Sequence, residues 1–162
     1  MKNVRKGFTL IELLVVISII GVLATIVLGS LNDARSSARD AQRKRDIKTI
    51  QTALEIYHLD KGQYPVSNNG IHTYQDSWST FLDGVVLPID PLDEGTSPTS
   101  GGYSYRYQSR TPQNYCDHQA YILVYNLENE DGNSVEDGIT LCDGSASPTY
   151  GNAFVVGVSP RE

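Results

Sequence analysis

The chain has 162 residues, 40% hydrophobic and 20% charged, with 14 Gly, 7 Pro and 2 Cys. These values suit one packed domain and exclude collagen-like, disulfide-dense and wholly disordered chains. Charge is polarised: residues 1–61 hold 10 of the 13 Lys+Arg and 6 of the 19 Asp+Glu, leaving 3 basic against 13 acidic side chains in residues 62–162. That balance of −10 repels phosphate, so this body is not expected to bind nucleic acid.

Residues 1–7, MKNVRKG, carry Lys2, Arg5 and Lys6 and no acid. The next 22 residues, FTLIELLVVISIIGVLATIVLG (8–29), carry one charge, Glu12. About 20 apolar residues cross the ~30 Å hydrocarbon core as a helix. The basic flank stays on the cytoplasmic side, which places the rest of the chain outside. A secretory signal has a shorter apolar region, about 7–15 residues, ending at a small-residue cleavage site. The run here is longer, although Ala24-Thr25 and Gly29-Ser30 are small. An ordinary anchor has no use for a carboxylate so near the start of its apolar run. An acid costs about 2.5–3.5 kcal/mol at the helix centre and less near the end. An ionisable residue at this depth therefore points to function.

Lys6-Gly7-Phe8-Thr9-Leu10-Ile11-Glu12 resembles the type III signal of type IV pilins and type II secretion pseudopilins. The pattern is a short basic leader, a Gly, then Phe, Thr, Leu, Ile, Glu and a long apolar helix. The resemblance implies that a prepilin peptidase cleaves after Gly7 and methylates the new amino group of Phe8. It also implies that Glu12 meets the Phe8 amino group of a neighbouring subunit. The physics agrees: a buried ammonium and a buried carboxylate are each expensive alone, and paired they offset one another. The competing reading leaves Glu12 snorkelling to a headgroup or protonated.

Residues 30–61 mix seven basic and five acidic side chains in a helix-favouring background. Ile47, Ile50, Leu54 and Tyr57 are spaced 3, 4 and 3 apart, one apolar stripe of an amphipathic helix. Ala34, Ala38 and Ala41 extend it upstream as a narrow face of small residues. Asp40 is expected to pair with Lys44. The cluster Arg43-Lys44-Arg45 reads as a solvated or intersubunit charge face rather than a site for nucleic acid or anionic lipid. The helix thus runs from Phe8 to about Asp60, roughly 80 Å at ~1.5 Å per residue, and resembles the family's spine helix. Gly29 stands where many members have Pro.

Lys61-Gly62-Gln63-Tyr64-Pro65 ends the helix and resembles the GxYP of major pseudopilins. Residues 66–102 are turn-rich, with one short helix expected around Trp78, Phe81 and Leu82, tucked under the sheet. Leu87-Pro88-Ile89-Asp90-Pro91 resembles the family's LPxDP, but Leu92-Asp93-Glu94-Gly95 replaces the usual Trp-Gly. Strands are expected across Tyr103, Tyr105 and Tyr107, over 120–127, at Ile139-Thr140-Leu141 and over 153–158, with Asp-Gly turns at 131, 137 and 143. The expected fold is α+β and pilin-like: a long N-terminal helix packed on an antiparallel sheet of three or four strands. Its parts are a leader (1–7), an apolar assembly helix (8–29) and a body (30–162) with an αβ-loop at 61–102 and a sheet at 103–158.

Cys116 and Cys142 enclose 25 residues. Outside the cytoplasm two cysteines usually pair, and this bridge contributes roughly 3 kcal/mol. It resembles the disulfide-bounded region of many pilins. Cys116 with His118 as a nucleophilic pair lacks a third orienting group. His58, His72 and His118 are scattered, and HExxH, CxxC, GxSxG, Walker A and GxGxxG motifs are absent from the sequence. No enzymatic reaction and no organic cofactor are expected. Residues 128–137, ENEDGNSVED, form an acidic stretch without EF-hand spacing. Pseudopilins carry a calcium in a loop of the sheet region, and Asp90, Asp93 and Glu94 loosely resemble its ligands. The other reading of both loops is a solvated acidic turn.

The leading reading is a structural subunit of a type IV pilus-like filament. The alternative is a type II secretion pseudopilin, and the more distant one a membrane-anchored extracellular binding domain. The cysteine pair favours the pilin, and GQYP and LPIDP favour the pseudopilin. Implied partners are copies of the chain, membrane lipid before assembly, a prepilin peptidase, an inner-membrane platform protein and a cytoplasmic assembly ATPase. The implied location is a single-pass inner-membrane precursor, then a periplasmic or surface filament.

Overall fold

The structure, a computed structural model, describes residues 7–73, 75, 78, 80–109, 118–130, 139, 146–147 and 150–158. Helix α1 (Leu10–Lys61) is followed by β1 (Ser67–His72), a 3-10 turn (Pro98–Ser100), β2 (Arg106–Ser109), β3 (Tyr121–Tyr125) and β4 (Phe154–Val158). This is the expected α+β, pilin-like arrangement. The helix stops where Gly62 takes a left-handed φ of 74° and its N–H donates to the His58 carbonyl at 2.8 Å. A residue with a Cβ holds that conformation at a cost.

The chain divides into two compact units, residues 1–38 and 39–162. In the first, the described side chains of residues 10–31 are all exposed. This segment is long and apolar enough to cross a membrane.

In the second unit the sheet order is β1-β2-β3-β4, with every neighbour antiparallel. Strand β3 is central and buried throughout. Tyr121, Leu123 and Tyr125 join Ile47, Ile50 and Leu54 of α1 in the main core, with Tyr64, Trp78, Leu82 and Tyr107. Ile122 and Val124 point the other way, into a second cluster with Ala120, Ile139, Ala153 and Val155. A strand covered on both faces reads as a continuous apolar run rather than an alternation, which explains the sequence AYILVYNL.

Several expectations change. The sheet's first strand, SNNGIH, falls in the stretch read as turns. It is an edge strand, where polar residues are tolerated, and its register shifts between Ser67 and Ile71. Gly70 sits at φ 83°, and a Cβ there would run into the Arg106 side chain. The strand expected across Tyr103–Tyr107 lies instead at 106–109, with Tyr105 buried just before it. Ile139 is buried but outside any strand, its carbonyl accepting from the Ser147 N–H at 3.2 Å; residues 140 and 141 lie outside the described residues. The short helix expected around Trp78 is met by a 3-10 turn at Trp78, whose N–H donates to the Gln75 carbonyl at 2.9 Å, and residues 80–84 are turns; Trp78 and Leu82 are buried and Phe81 stacks on Tyr107 at 5.1 Å. Ala34, Ala38 and Ala41 are exposed; the buried face continues upstream through Asp40 and Arg43.

Leu54 is fully buried and Leu59 is 82% exposed on the same helix. Leu54→Ala should therefore cost about 2–5 kcal/mol, and Leu59→Ala no more than about 0.5 kcal/mol. Urea unfolding of the detergent-solubilised chain, followed through the fluorescence of Trp78, measures both.

Candidate assembly site and charged junction

At the start of α1, Gly7 and Phe8 precede the helix and are exposed. Thr9 and Glu12 close a reciprocal cap. The Thr9 N–H donates to Glu12 Oε2 at 2.8 Å, its hydroxyl donates to the same oxygen at 2.5 Å, and the Glu12 N–H donates back to Thr9 Oγ1 at 3.3 Å. This is a capping box, Thr-x-x-Glu, satisfying donors that the first helical turn leaves open. Phe8, Ile11, Glu12, Val15 and Val16 line a shallow, almost wholly apolar groove of about 340 Å³. The carboxylate thus sits at an apolar surface with only the helix's own first turn as its partner among the described contacts.

The body's charged junction is built around Arg43, whose side chain is fully buried. Its Nε and Nη2 donate to Asp90 Oδ2 and Oδ1 at 2.7 and 3.1 Å. Its Nη1 donates to Asp40 Oδ1 at 2.8 Å and to Glu128 Oε1 at 2.7 Å. The Tyr103 ring lies 4.5 Å from the guanidinium carbon, a cation–π contact. Arg39 also grips Glu128, with Nε 2.7 Å from Oε1. Asp40 accepts the backbone N–H groups of Glu128 and Asn129 at 2.9 and 3.0 Å and the Asn129 amide at 2.8 Å. Lys44, expected to meet Asp40, reaches Glu130 at 2.6 Å instead. The solvated reading of the Arg43-Lys44-Arg45 cluster therefore fails for Arg43 and holds for Lys44 and Arg45, both exposed.

Burial opposes the charge on Arg43, but the hydrogen bonds it donates to Asp90 and Glu128 outweigh burial and raise its pKa. Burial likewise opposes the Asp40 carboxylate, and the N–H groups of Glu128 and Asn129 pull its pKa below the usual value of 3.8. The hydrogen bond from Arg39 lowers that of Glu128 below 4.5.

Asp90, Asp93 and Glu94 do not converge. Asp90 is spent on Arg43 and on the Leu92 N–H at 2.8 Å. Asp93 accepts from the Thr73 hydroxyl and from the Gly95 N–H at 3.0 Å. Glu94 is exposed. Among the described residues no three His, Cys, Asp or Glu side chains gather as a metal site would require. Cys116, Cys142 and residues 131–137 of the acidic loop lie outside the described residues.

The two short motifs acquire physical roles. Tyr64 packs edge-on against Tyr121 at 4.7 Å and donates to Glu55 at 2.8 Å, while the Pro65 carbonyl accepts from Tyr107 at 2.7 Å. In LPIDP, Leu87 is buried, the Pro88 carbonyl accepts from Trp78 Nε1 at 3.2 Å, and Asp90 holds Arg43. Arg43 was the residue hardest to place from sequence. Yet it stands four before Ile47, on the same 4-3-4 spacing that leads to Ile50 and Leu54, and that spacing was the available signal.

A long N-terminal helix with this capped, apolar start, joined to a four-stranded antiparallel sheet, defines a pilin-like protein. Residues 2–28 match the family model of the prokaryotic N-terminal methylation motif, and residues 30–116 that of type II secretion system (T2SS) protein G. The second match covers just over half of the chain, and the chain belongs to the type II secretion system protein G family. It is similar to the type II secretion system core protein G of Aeromonas hydrophila, 33% identical over 105 residues (65% of this chain, 66% of that one). Against that of Vibrio cholerae it is 38% identical over 108 residues (65% and 66%), and against that of Escherichia coli K12 41% over 69 residues (43% and 48%). The chain thus spans between about half and two thirds of the length of these relatives. No solved structure matches it.

The pH dependence of stability should have two limbs. Burial, then the charge of Arg106, pushes His72 from 6.5 down to about 4, so the folded state keeps it neutral while the unfolded chain takes up a proton. Its contribution is whole above pH 6.5 and is lost between 6.5 and 4. The contribution of Asp40 and Glu128 is whole above their unfolded values of 3.8 and 4.5 and is lost as pH falls through their lower folded values. Tm should therefore decline gently below pH 6.5 and steeply below about 4.5. In His72→Gln the first limb should disappear and the second remain.

Proposed function

We propose that this chain is a major-pseudopilin-like subunit of a type II secretion pseudopilus, a periplasmic filament that serves protein export. The observation that carries this reading is the protein G match over residues 30–116, directly following the methylation motif over 2–28. It favours the secretion alternative over the type IV pilus that ranked first on sequence grounds.

In this reading residues 10–29 cross the inner membrane before assembly and lipid covers their exposed apolar side chains. A prepilin peptidase cleaves after Gly7, and the amino group of Phe8 is methylated. In the free subunit the described partner of the Glu12 carboxylate is Thr9. In the filament the Phe8 ammonium of a neighbouring copy takes it as counter-ion, so two groups costly to bury alone are buried together. An inner-membrane platform protein and a cytoplasmic ATPase drive the addition of subunits.

Glu12→Gln isolates the charge. Glutamine also serves at the third position of a capping box, so the helix start survives and insertion becomes easier. The neighbour's ammonium is left unpaired at a cost of several kcal/mol. The variant should be inserted and cleaved normally, with mass spectrometry showing a chain beginning at methylated Phe8. Its yield in cross-linked filaments should fall at least about tenfold, and secretion with it. Normal filament yield would contradict the assembly role of Glu12.

Cys116 and Cys142 are proposed to pair once the body reaches the periplasm. Alkylation of the mature protein without reductant should then label neither cysteine; labelling of both would contradict the pairing.

A further inference from the structure

We propose that the cavity between the 3-10 turn at Pro98–Ser100, the end of β3 and residues 150–152 is a binding site for one ring of a neutral sugar. The cavity measures about 410 Å³, within the range of roughly 300–1,000 Å³ that small-molecule sites occupy. Asn126, in its wall, follows Ile122 and Val124 at the two-residue spacing that puts side chains on one face of a strand. That face is the one turned away from α1.

Asn126 is 8% exposed. Its Nδ2 donates to the carbonyls of Pro98 at 3.0 Å and Gly102 at 2.9 Å, which fixes the orientation of the amide. Its Oδ1 is buried and has no hydrogen-bond partner among the described residues, so a donor that reaches it is rewarded. Tyr103 and Tyr150 also line the cavity, both half-buried. Each ring already carries a guanidinium: Arg43 lies 4.5 Å from the Tyr103 centroid and Arg106 5.5 Å from that of Tyr150. A ring whose π charge faces one cation attracts a second weakly. The neighbouring acids are answered too, Glu128 by Arg39 and Arg43 and Glu130 by Lys44. Charge therefore does not select the ligand; hydroxyl donors and C–H surface do. A pyranose offers both: hydroxyls for Asn126 Oδ1 and for the exposed Asn152, and a C–H face for a tyrosine ring. The inference stands on the body alone and is independent of the filament reading.

The test uses the full chain in a detergent without a sugar head group. Magnetisation transferred from the protein's aromatic protons to glucose, N-acetylglucosamine or cellobiose reads contact between ring and ligand. At least one of the three should receive it, with a Kd on the order of 1 mM. Asn152 is exposed, so Asn152→Trp should keep the wild-type Tm while filling the cavity, and Tyr150→Leu removes one ring. Each should weaken binding at least about tenfold, and free arginine should not displace the sugar. Absence of transfer to all three sugars would overturn the proposal and leave a cavity that holds water alone. Binding that both variants leave intact would place the sugar elsewhere and overturn it, as would transfer to arginine in preference to the sugars, the mark of a cation site. Where Tyr150→Leu does not fold, Asn152→Trp decides.

Discussion

Burying one guanidinium organises the body. A charge in a dry interior costs several kcal/mol unless it is paired and hydrogen-bonded, so Arg43 can be buried only where carboxylates come to it. Asp90 brings the loop that precedes the 3-10 turn, Glu128 brings the end of β3, and Asp40 lies one turn back on the helix. The same contacts orient the helix about its own axis: with Arg43 inward, Ile47, Ile50 and Leu54 meet Leu123 and Tyr125 of the sheet. Apolar packing supplies most of the stabilisation. The ion cluster adds selectivity, because a different rotation of the helix would strand a charge.

The division at residue 38 suits the proposed role. Residues 39–162 contain both hydrophobic clusters and the charged junction, everything a body needs to hold its shape. The described apolar side chains of residues 10–31 are exposed. A segment of that kind is stable only in lipid or among other helices. A subunit that exchanges lipid for neighbouring copies needs both parts: a surface that is costly to leave in water, and a body whose fold does not depend on which partner covers that surface.

The sequence made the N-terminal signal plain because its chemistry is local: a basic leader, Gly7, Phe8 and Glu12 follow one another within a few residues. The stripe through Ile47, Ile50 and Leu54 was equally plain, since a helix repeats every 3.6 residues. Strands β3 and β4 were legible from apolar content. Strand β1 was not, because an edge strand with a shifted register tolerates Asn, Gly and Ser, the residues of turns. Arg43 defeated the reading for another reason. A charged residue is solvated by default, and its three carboxylates are supplied by positions 3 to 85 residues away. Of the expected strand Ile139-Thr140-Leu141, Ile139 alone lies among the described residues, buried in the second cluster with Ile122, Val124 and Val155.

The most direct measurement of this account is a double-mutant cycle between Arg43 and Asp90, with Arg43→Met, Asp90→Asn and the double variant compared by urea unfolding. Groups that share a buried ion pair couple by about 0.5–3 kcal/mol, and this pair, bidentate and dry, should lie at or above the upper end. Arg43→Met strands the Asp90 carboxylate, and Asp90→Asn takes from Arg43 its bidentate partner and leaves it Asp40 and Glu128, so the double variant should be markedly more stable than the sum of the two losses. A coupling within about 0.3–0.5 kcal/mol of zero would mean that the two residues act independently, and that the guanidinium does not organise the body.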